Sequence, residues 1–188
     1  MPRVFALLFF VVLGVAFPAG AAAQTSSTGG AQFSDPAPIV APGAKATLLP
    51  DGSAAAPAEA PPEVQAAIFA ANKLLDKPYK YGGGHAKVED SGYDCSGTVS
   101  YALLAAKLIK SPLDSSSFMR WGLRGKGQWI TVYTNPGHAF AVIAGLRLDT
   151  STAGVISRKI ARTAERGPRW RAAMRTTRGF KTRHPVGF

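Results

Sequence analysis

The sequence predicts an α+β fold in which N-terminal helices pack on an antiparallel sheet. Between residues 62 and 109 apolar side chains recur at three- and four-residue steps, the spacing of one helical face. Between residues 129 and 150 they fall instead into short strand-like runs separated by Asn135, Pro136 and Gly137 and then by Gly145. The stretch 62–188 is long enough to build one core without staples, and it contains no internal repeat.

The 188-residue chain opens with the pattern of a secretory signal: Arg3, an apolar run over 4–17, Pro18, and Ala21, Ala22 and Ala23. The expectation is cleavage after Ala23 and a secreted or periplasmic product, the run being short for a membrane span. Residues 24–61 are rich in Ala, Pro, Gly, Ser and Thr and poor in large apolar groups. Such a composition buries too little surface to offset its ordering entropy, so this stretch is expected to be a disordered linker.

Pro61, Pro62 and Glu63 suit a helix start, and Val64, Ile68, Ala71 and Leu75 form the stripe that follows. A glycine loop (Gly82, Gly83, Gly84) and a polar loop through Glu89, Asp90, Ser91 and Gly92 then lead to Cys95, the only cysteine. Val99, Ala102, Ala106 and Ile109 continue the face on which Cys95 lies, so the thiol is expected in the first turn of a buried helix. Unpaired N–H groups there favour a thiolate. About 3% of an ordinary thiol is ionised at pH 7, against roughly 90% if its pKa falls to about 6. An isolated cysteine is most often a small buried hydrophobe, but in an exported chain a single unpaired thiol calls for a reason.

Ser111 and Pro112 break the helix, and Asp114 is placed to cap a short one through Phe118 and Trp121, either support structure or a cleft wall. The first predicted strand is 129–134 and the second is 138–143, with His138, Phe140 and Val142 on one face and Ala139, Ala141 and Ile143 on the other. Both faces being apolar points to a central strand covered on at least one side by the helices. Gly145 permits a reversal into a third strand, 146–150, which brings Asp149 close to the level of His138, with Ser151 in reserve. Cys95, His138 and Asp149 together supply a nucleophile, a base and a group to orient the base. A last strand is expected over 179–184, where His184 reads as structural. His85 borders the Cys95 helix start and is a candidate substrate contact.

The motif Pro78-Tyr79-Lys80-Tyr81-Gly82-Gly83, then Asp94-Cys95-Ser96-Gly97 opening a helix, then Gly137-His138 opening a strand, resembles the NlpC/P60 family of papain-like cell-wall cysteine peptidases. The resemblance covers most of residues 62–150, and the order and spacing of the motifs carry it. The ending, with Gly167-Pro168-Arg169-Trp170 and Arg183-His184-Pro185, is similar to that of a secreted bacterial branch of the family. The resemblance implies a circularly rearranged papain-like fold and a hydrolase acting on the stem peptides of peptidoglycan, commonly between D-glutamate and a diamino acid. It implies Cys95 as nucleophile, its backbone N–H as part of an oxyanion hole, and His138 as base. Tyr79, Tyr81, Asp94 and Ser96, with His85, become substrate contacts. The third polar residue is most often His, Asn or Gln in the family, where this chain offers Asp149.

The net charge of +11 has its source in the C-terminal region, where residues 155–188 carry ten basic side chains against Glu165. Such a surface suits an anionic wall polymer, while export argues against nucleic acid. The three histidines and one cysteine lack metal-ligand spacing, so neither metal nor cofactor is expected, and a monomer is. The competing readings are a non-catalytic wall-binding or scaffolding protein, and a thiol amidase or acyltransferase acting on another amide.

Overall fold

The structure, a computed structural model, describes residues 1, 38–151 and 167–188. The chain divides into two units, 1–35 and 36–188, and all that follows concerns the second. Apart from Met1, the expected signal sequence lies outside the described residues, as do the first part of the expected linker and the basic residues Arg158, Lys159, Arg162 and Arg166.

Three short strands come first: β1 (Val40–Ala41), β2 (Thr47–Leu48) and β3 (Ala54–Pro57). β3 is central, parallel to β1 and antiparallel to β2. This corrects the linker expectation for residues 38–61. The composition argument counts large apolar groups, but Ala54, Ala55 and Ala56 are buried because small side chains let β3 lie close against the next helix. The Asn72 amide completes the attachment, donating to the Ala54 carbonyl and accepting from the Ala54 N–H, both at 2.9 Å. The folded domain therefore begins well before Pro62.

Helix α1 (Pro62–Asn72) starts on the proline pair and buries Val64, Ala67 and Ile68. Burial of Val64 and Ile68 contributes about 1.5–3 kcal/mol each. Helix α2 (Cys95–Ala105) is buried on every side through Leu103, as a helix enclosed by a core requires. Asp94 caps it, its carboxylate accepting from the Gly97 N–H at 2.7 Å. Gly97 has to be glycine for packing, since a side chain there would overlap the Gly83 carbonyl of the glycine loop. A one-turn helix, α3 (Ser115–Phe118), repeats the device with Asp114 accepting from Ser117 N at 2.6 Å.

The remaining strands are β4 (Leu123–Arg124), β5 (Ile130–Asn135), β6 (His138–Ile143), β7 (Leu146–Asp149), β8 (Arg169–Arg171) and β9 (Lys181–His184). They form one antiparallel sheet in the order β4-β9-β5-β6-β7-β8. The expected α+β architecture is present, with the helices ahead of this sheet. β6 is central, and Ala139, Ala141 and Ile143 join the core formed with α1 and α2. β6 and β7 are joined by Ala144 and Gly145, at φ 47° and 92°, the pair of positive values of a two-residue hairpin turn. β4 and β8 go beyond the sequence expectation. Trp170 of β8 closes the core and donates to Asn72 Oδ1 at 2.8 Å.

Candidate active site

Cys95 is the first residue of α2, and its thiol is mostly buried at the floor of an open cleft of about 590 Å³. The cleft runs between the glycine loop, the starts of α2 and α3, and the Pro136–Gly137 turn ahead of β6. His138 stands at the first position of β6, just behind that turn, close enough to the thiol for each group to shift the other's ionisation. Its Nε2 lies 2.9 Å from Oδ1 of Asp149, whose side chain is fully buried. With Nε2 engaged on the carboxylate, Nδ1 is the nitrogen left for Cys95.

The β6–β7 register refines the expected juxtaposition. Ala141 pairs with Leu148, so the position opposite His138 is that of Ser151, and Asp149 reaches the ring diagonally. Ser151 serves the carboxylate through its backbone, donating N–H to Asp149 Oδ1 at 2.9 Å.

The electrostatics of the three residues reinforce one another. Burial pushes the Cys95 thiol up, but the hydrogen bond and charge of His138, the Ala139 N–H and the Ser115 hydroxyl outweigh it, and its pKa ends below the ordinary value. Burial pushes His138 down, and the bonds to Asp149 and Cys95 overcome this and raise it to about 9. Burial likewise pushes Asp149 up, against the hydrogen bond and charge of His138, the Ser151 N–H and Arg175, which together hold it below the usual carboxylate range. The net result favours a thiolate beside an imidazolium, over a carboxylate held toward its ionised form.

Tyr79, Tyr81, His85, Asp94 and Ser96 line the same cleft as Cys95. Tyr81 stands almost entirely in solvent at the rim, 91% exposed. The Asp94 carboxylate, expected to contact substrate, is largely taken up within the protein: beyond the Gly97 cap it accepts from Ser96 Oγ at 3.1 Å and, through Oδ2, from Gly82 N at 3.1 Å. His85 Nε2 lies 3.1 Å from Asp94 Oδ1 and 3.2 Å from Ser96 Oγ. His184 is structural, its Nδ1 at 3.2 Å from the Gly125 carbonyl.

Two site features escaped the sequence reading. Ser115 places its hydroxyl 3.8 Å from the Cys95 sulfur. Its signal was available, since Asp114-Ser115 opens α3 as Asp94-Cys95 opens α2, a capping aspartate followed by the first helical residue. The other is arginine: Arg147, Arg171 and Arg175 all act on Asp149, and Arg175 Nη1 donates to its Oδ2 at 3.3 Å. Nothing local in the sequence ties these side chains to the site.

Among the described residues no group of three or more His, Cys, Asp or Glu is arranged to hold a metal ion, and no helix is long and apolar enough to cross a membrane. No protein-family model matches the chain, and no curated protein matches it. Among solved structures it is similar to the peptidoglycan hydrolase RipB from Mycobacterium tuberculosis, with a TM-score of 0.47 and 16% identity. That match covers 67% of this chain and 66% of the RipB chain, just under two thirds of the latter.

Proposed function

We propose that the protein is a secreted cysteine peptidase that hydrolyses an amide bond in the peptide stems of peptidoglycan, with the bond from D-glutamate to a diamino acid as the expected target. The observation that carries the chemistry is Cys95 in the lining of an open cleft, with the hydrogen-bonded His138–Asp149 pair behind it. The substrate class rests on the resemblance of the Tyr79–Gly83, Asp94–Gly97 and Gly137–His138 motifs to the NlpC/P60 family.

The Cys95 thiolate attacks the amide carbon, forming a C–S bond and a tetrahedral oxyanion. The backbone N–H of Cys95, at the positive end of α2, is placed to stabilise that charge. His138, already protonated, passes its proton to the leaving nitrogen as the C–N bond breaks, leaving a thioester. The neutral ring then takes a proton from water, the resulting hydroxide adds to the thioester, and cleavage of the C–S bond releases the acid and restores the thiolate. Asp149 holds the ring through Nε2 throughout. The exposed Arg178 and Lys181, with the rest of the basic C-terminal region, are suited to retaining the enzyme on anionic wall polymer.

Mass spectrometry of purified muropeptides incubated with the mature protein tests this reading. Cys95→Ala and His138→Ala should each abolish cleavage while leaving the fold intact, and the two losses should not add, because the residues act as a unit. Cleavage by Cys95→Ala at the wild-type rate would replace the enzyme with the scaffold reading.

A further inference from the structure

Three guanidinium groups act on Asp149, and they do so in different ways. Arg147, on the same strand, has its Nε 3.5 Å from Oδ2, but its side chain is wholly buried and none of its three nitrogens has a hydrogen-bond acceptor among the described residues. Arg171, from β8, acts on the carboxylate by charge, and its buried Nε also lacks an acceptor among those residues. Among the described residues neither donates a hydrogen bond to the carboxylate, and the Arg175 Nε is likewise buried without an acceptor there. Arg175, in the loop between β8 and β9, is the one that makes a directed hydrogen bond to Oδ2.

The same guanidinium is anchored by aromatic rings. Its carbon lies 5.5 Å from the centre of the Phe140 ring and 5.3 Å from that of Phe180, within cation–π range of both. Those two rings meet edge to face at 5.3 Å, and each borders His138, at 6.3 and 6.2 Å. Arg175 thus touches both surroundings of the imidazole: the carboxylate below Nε2 and the aromatic wall beside the ring. The arrangement is bidirectional, since Oδ1 faces His138 and the Ser151 N–H while Oδ2 faces Arg175. A carboxylate held on both oxygens cannot rotate away from the ring.

We infer that Arg175 is a positioning residue for the His138–Asp149 pair, fixing the carboxylate through Oδ2 and the ring through Phe140 and Phe180. The inference deepens the peptidase reading and rests on it for its catalytic meaning, but the pair it concerns can be measured directly. Among the described residues, the charged and titratable groups facing the pair are Cys95 from α2, Arg147 from β7, Arg171 from β8 and Arg175 from its loop. Removing the Arg175 charge takes away a repulsion on the imidazolium, so His138 should become harder to deprotonate.

The test is an NMR titration of the His138 ring in the full domain, in wild type, Arg175→Gln and Arg175→Lys, alongside muropeptide turnover and melting temperature. Arg175→Gln should raise the His138 pKa by about 0.5 unit or more and lower kcat about tenfold or more, with KM within about threefold. Arg175→Lys keeps the charge and should return the His138 titration to the wild-type position, while recovering kcat only in part because the flat contact with the rings is lost. A His138 titration that does not move in Arg175→Gln overturns the inference, whatever happens to the melting temperature. If the titration moves as stated but wild type cleaves no muropeptide, the peptidase reading fails and the positioning of His138 by Arg175 stands.

Discussion

His138 meets Asp149 through Nε2 at 2.9 Å, and His85 meets Asp94 through Nε2 at 3.1 Å. Up to that first contact the two pairs are alike, and both belong to residues that line or back the same cleft. The difference lies in what else each carboxylate does. Asp94 spends its lone pairs on the architecture: the Gly97 N–H, the Ser96 hydroxyl and the Gly82 N–H, which tie the start of α2 to the glycine loop. Among the described residues Asp149 makes one backbone bond, to Ser151, and otherwise faces charge: an imidazole on one side and guanidinium groups on the other. The ring on Asp149 is then within reach of a thiol, whereas the ring on Asp94 finds a serine hydroxyl that already donates to the same carboxylate. A histidine–carboxylate pair therefore says little by itself. The remaining partners of the carboxylate decide whether it holds a proton carrier or a helix end.

Exchanging the two carboxylates for neutral groups should separate their roles most sharply. Asp149→Asn should cut kcat by about 10²- to 10⁴-fold, because an amide can hold the wrong tautomer, with the domain still folded. Asp94→Ala should instead cost about 1–2 kcal/mol of stability as the cap of α2 is lost. A urea melt and a steady-state assay on both variants would break the comparison if Asp94→Ala lost turnover as completely as Asp149→Asn without losing stability.

A smaller effect is expected in the pH dependence of stability. His138, raised from 6.5 to about 9 in the folded protein, contributes stability that is fully present below about 6.5 and lost as pH rises through about 9. Cys95, lowered from 9.0, contributes in the opposite sense: its stabilisation grows as pH rises through the lowered value and is complete above the unfolded one. The two terms oppose each other in wild type. In Cys95→Ala the thiol term disappears, while Asp149 still raises the ring, though by less than it and the thiol do together, so stability should fall more steeply just above pH 6.5 than in wild type. Parallel curves from thermal melts would mean that thiol and ring do not share a proton.

The smallest expected change is at His85. Removing its ring by His85→Ala deletes its partly exposed contacts with Asp94 and Ser96 and should cost about 0.5–1 kcal/mol. Its turnover should stay within a few-fold of wild type, and a large rise in KM alone would make His85 a substrate contact and draw the second pair into the chemistry.

The residues that sequence periodicity could find are those whose burial follows from one element's own pattern. The period-two run of β6, the turn at Ala144 and Gly145, and the apolar face continuing from Cys95 are local facts: the first two bring His138 and Asp149 together, and the third puts Cys95 on a buried helix face. The two-residue offset of Asp149 is not local, because it depends on which of two adjacent residues begins the turn. Arg175 lies 26 positions beyond Asp149 in sequence, and only the β7–β8 pairing brings its loop under the carboxylate. Ala54, Ala55 and Ala56 escaped notice for a different reason. Their side chains are too small to register as core, and what holds them is the amide of Asn72, which mimics a neighbouring strand.

That amide reaches further than β3. Asn72 Oδ1 accepts from Ala54 N and from the indole of Trp170, so one side chain at the end of α1 fastens an early strand and a late one to the same point. A truncation that starts the chain at Pro62 would leave the Asn72 amide N–H without its carbonyl and strip the cover from Val64, Ala67 and Ile68. Expression and crystallisation of the catalytic unit should therefore begin before Pro38.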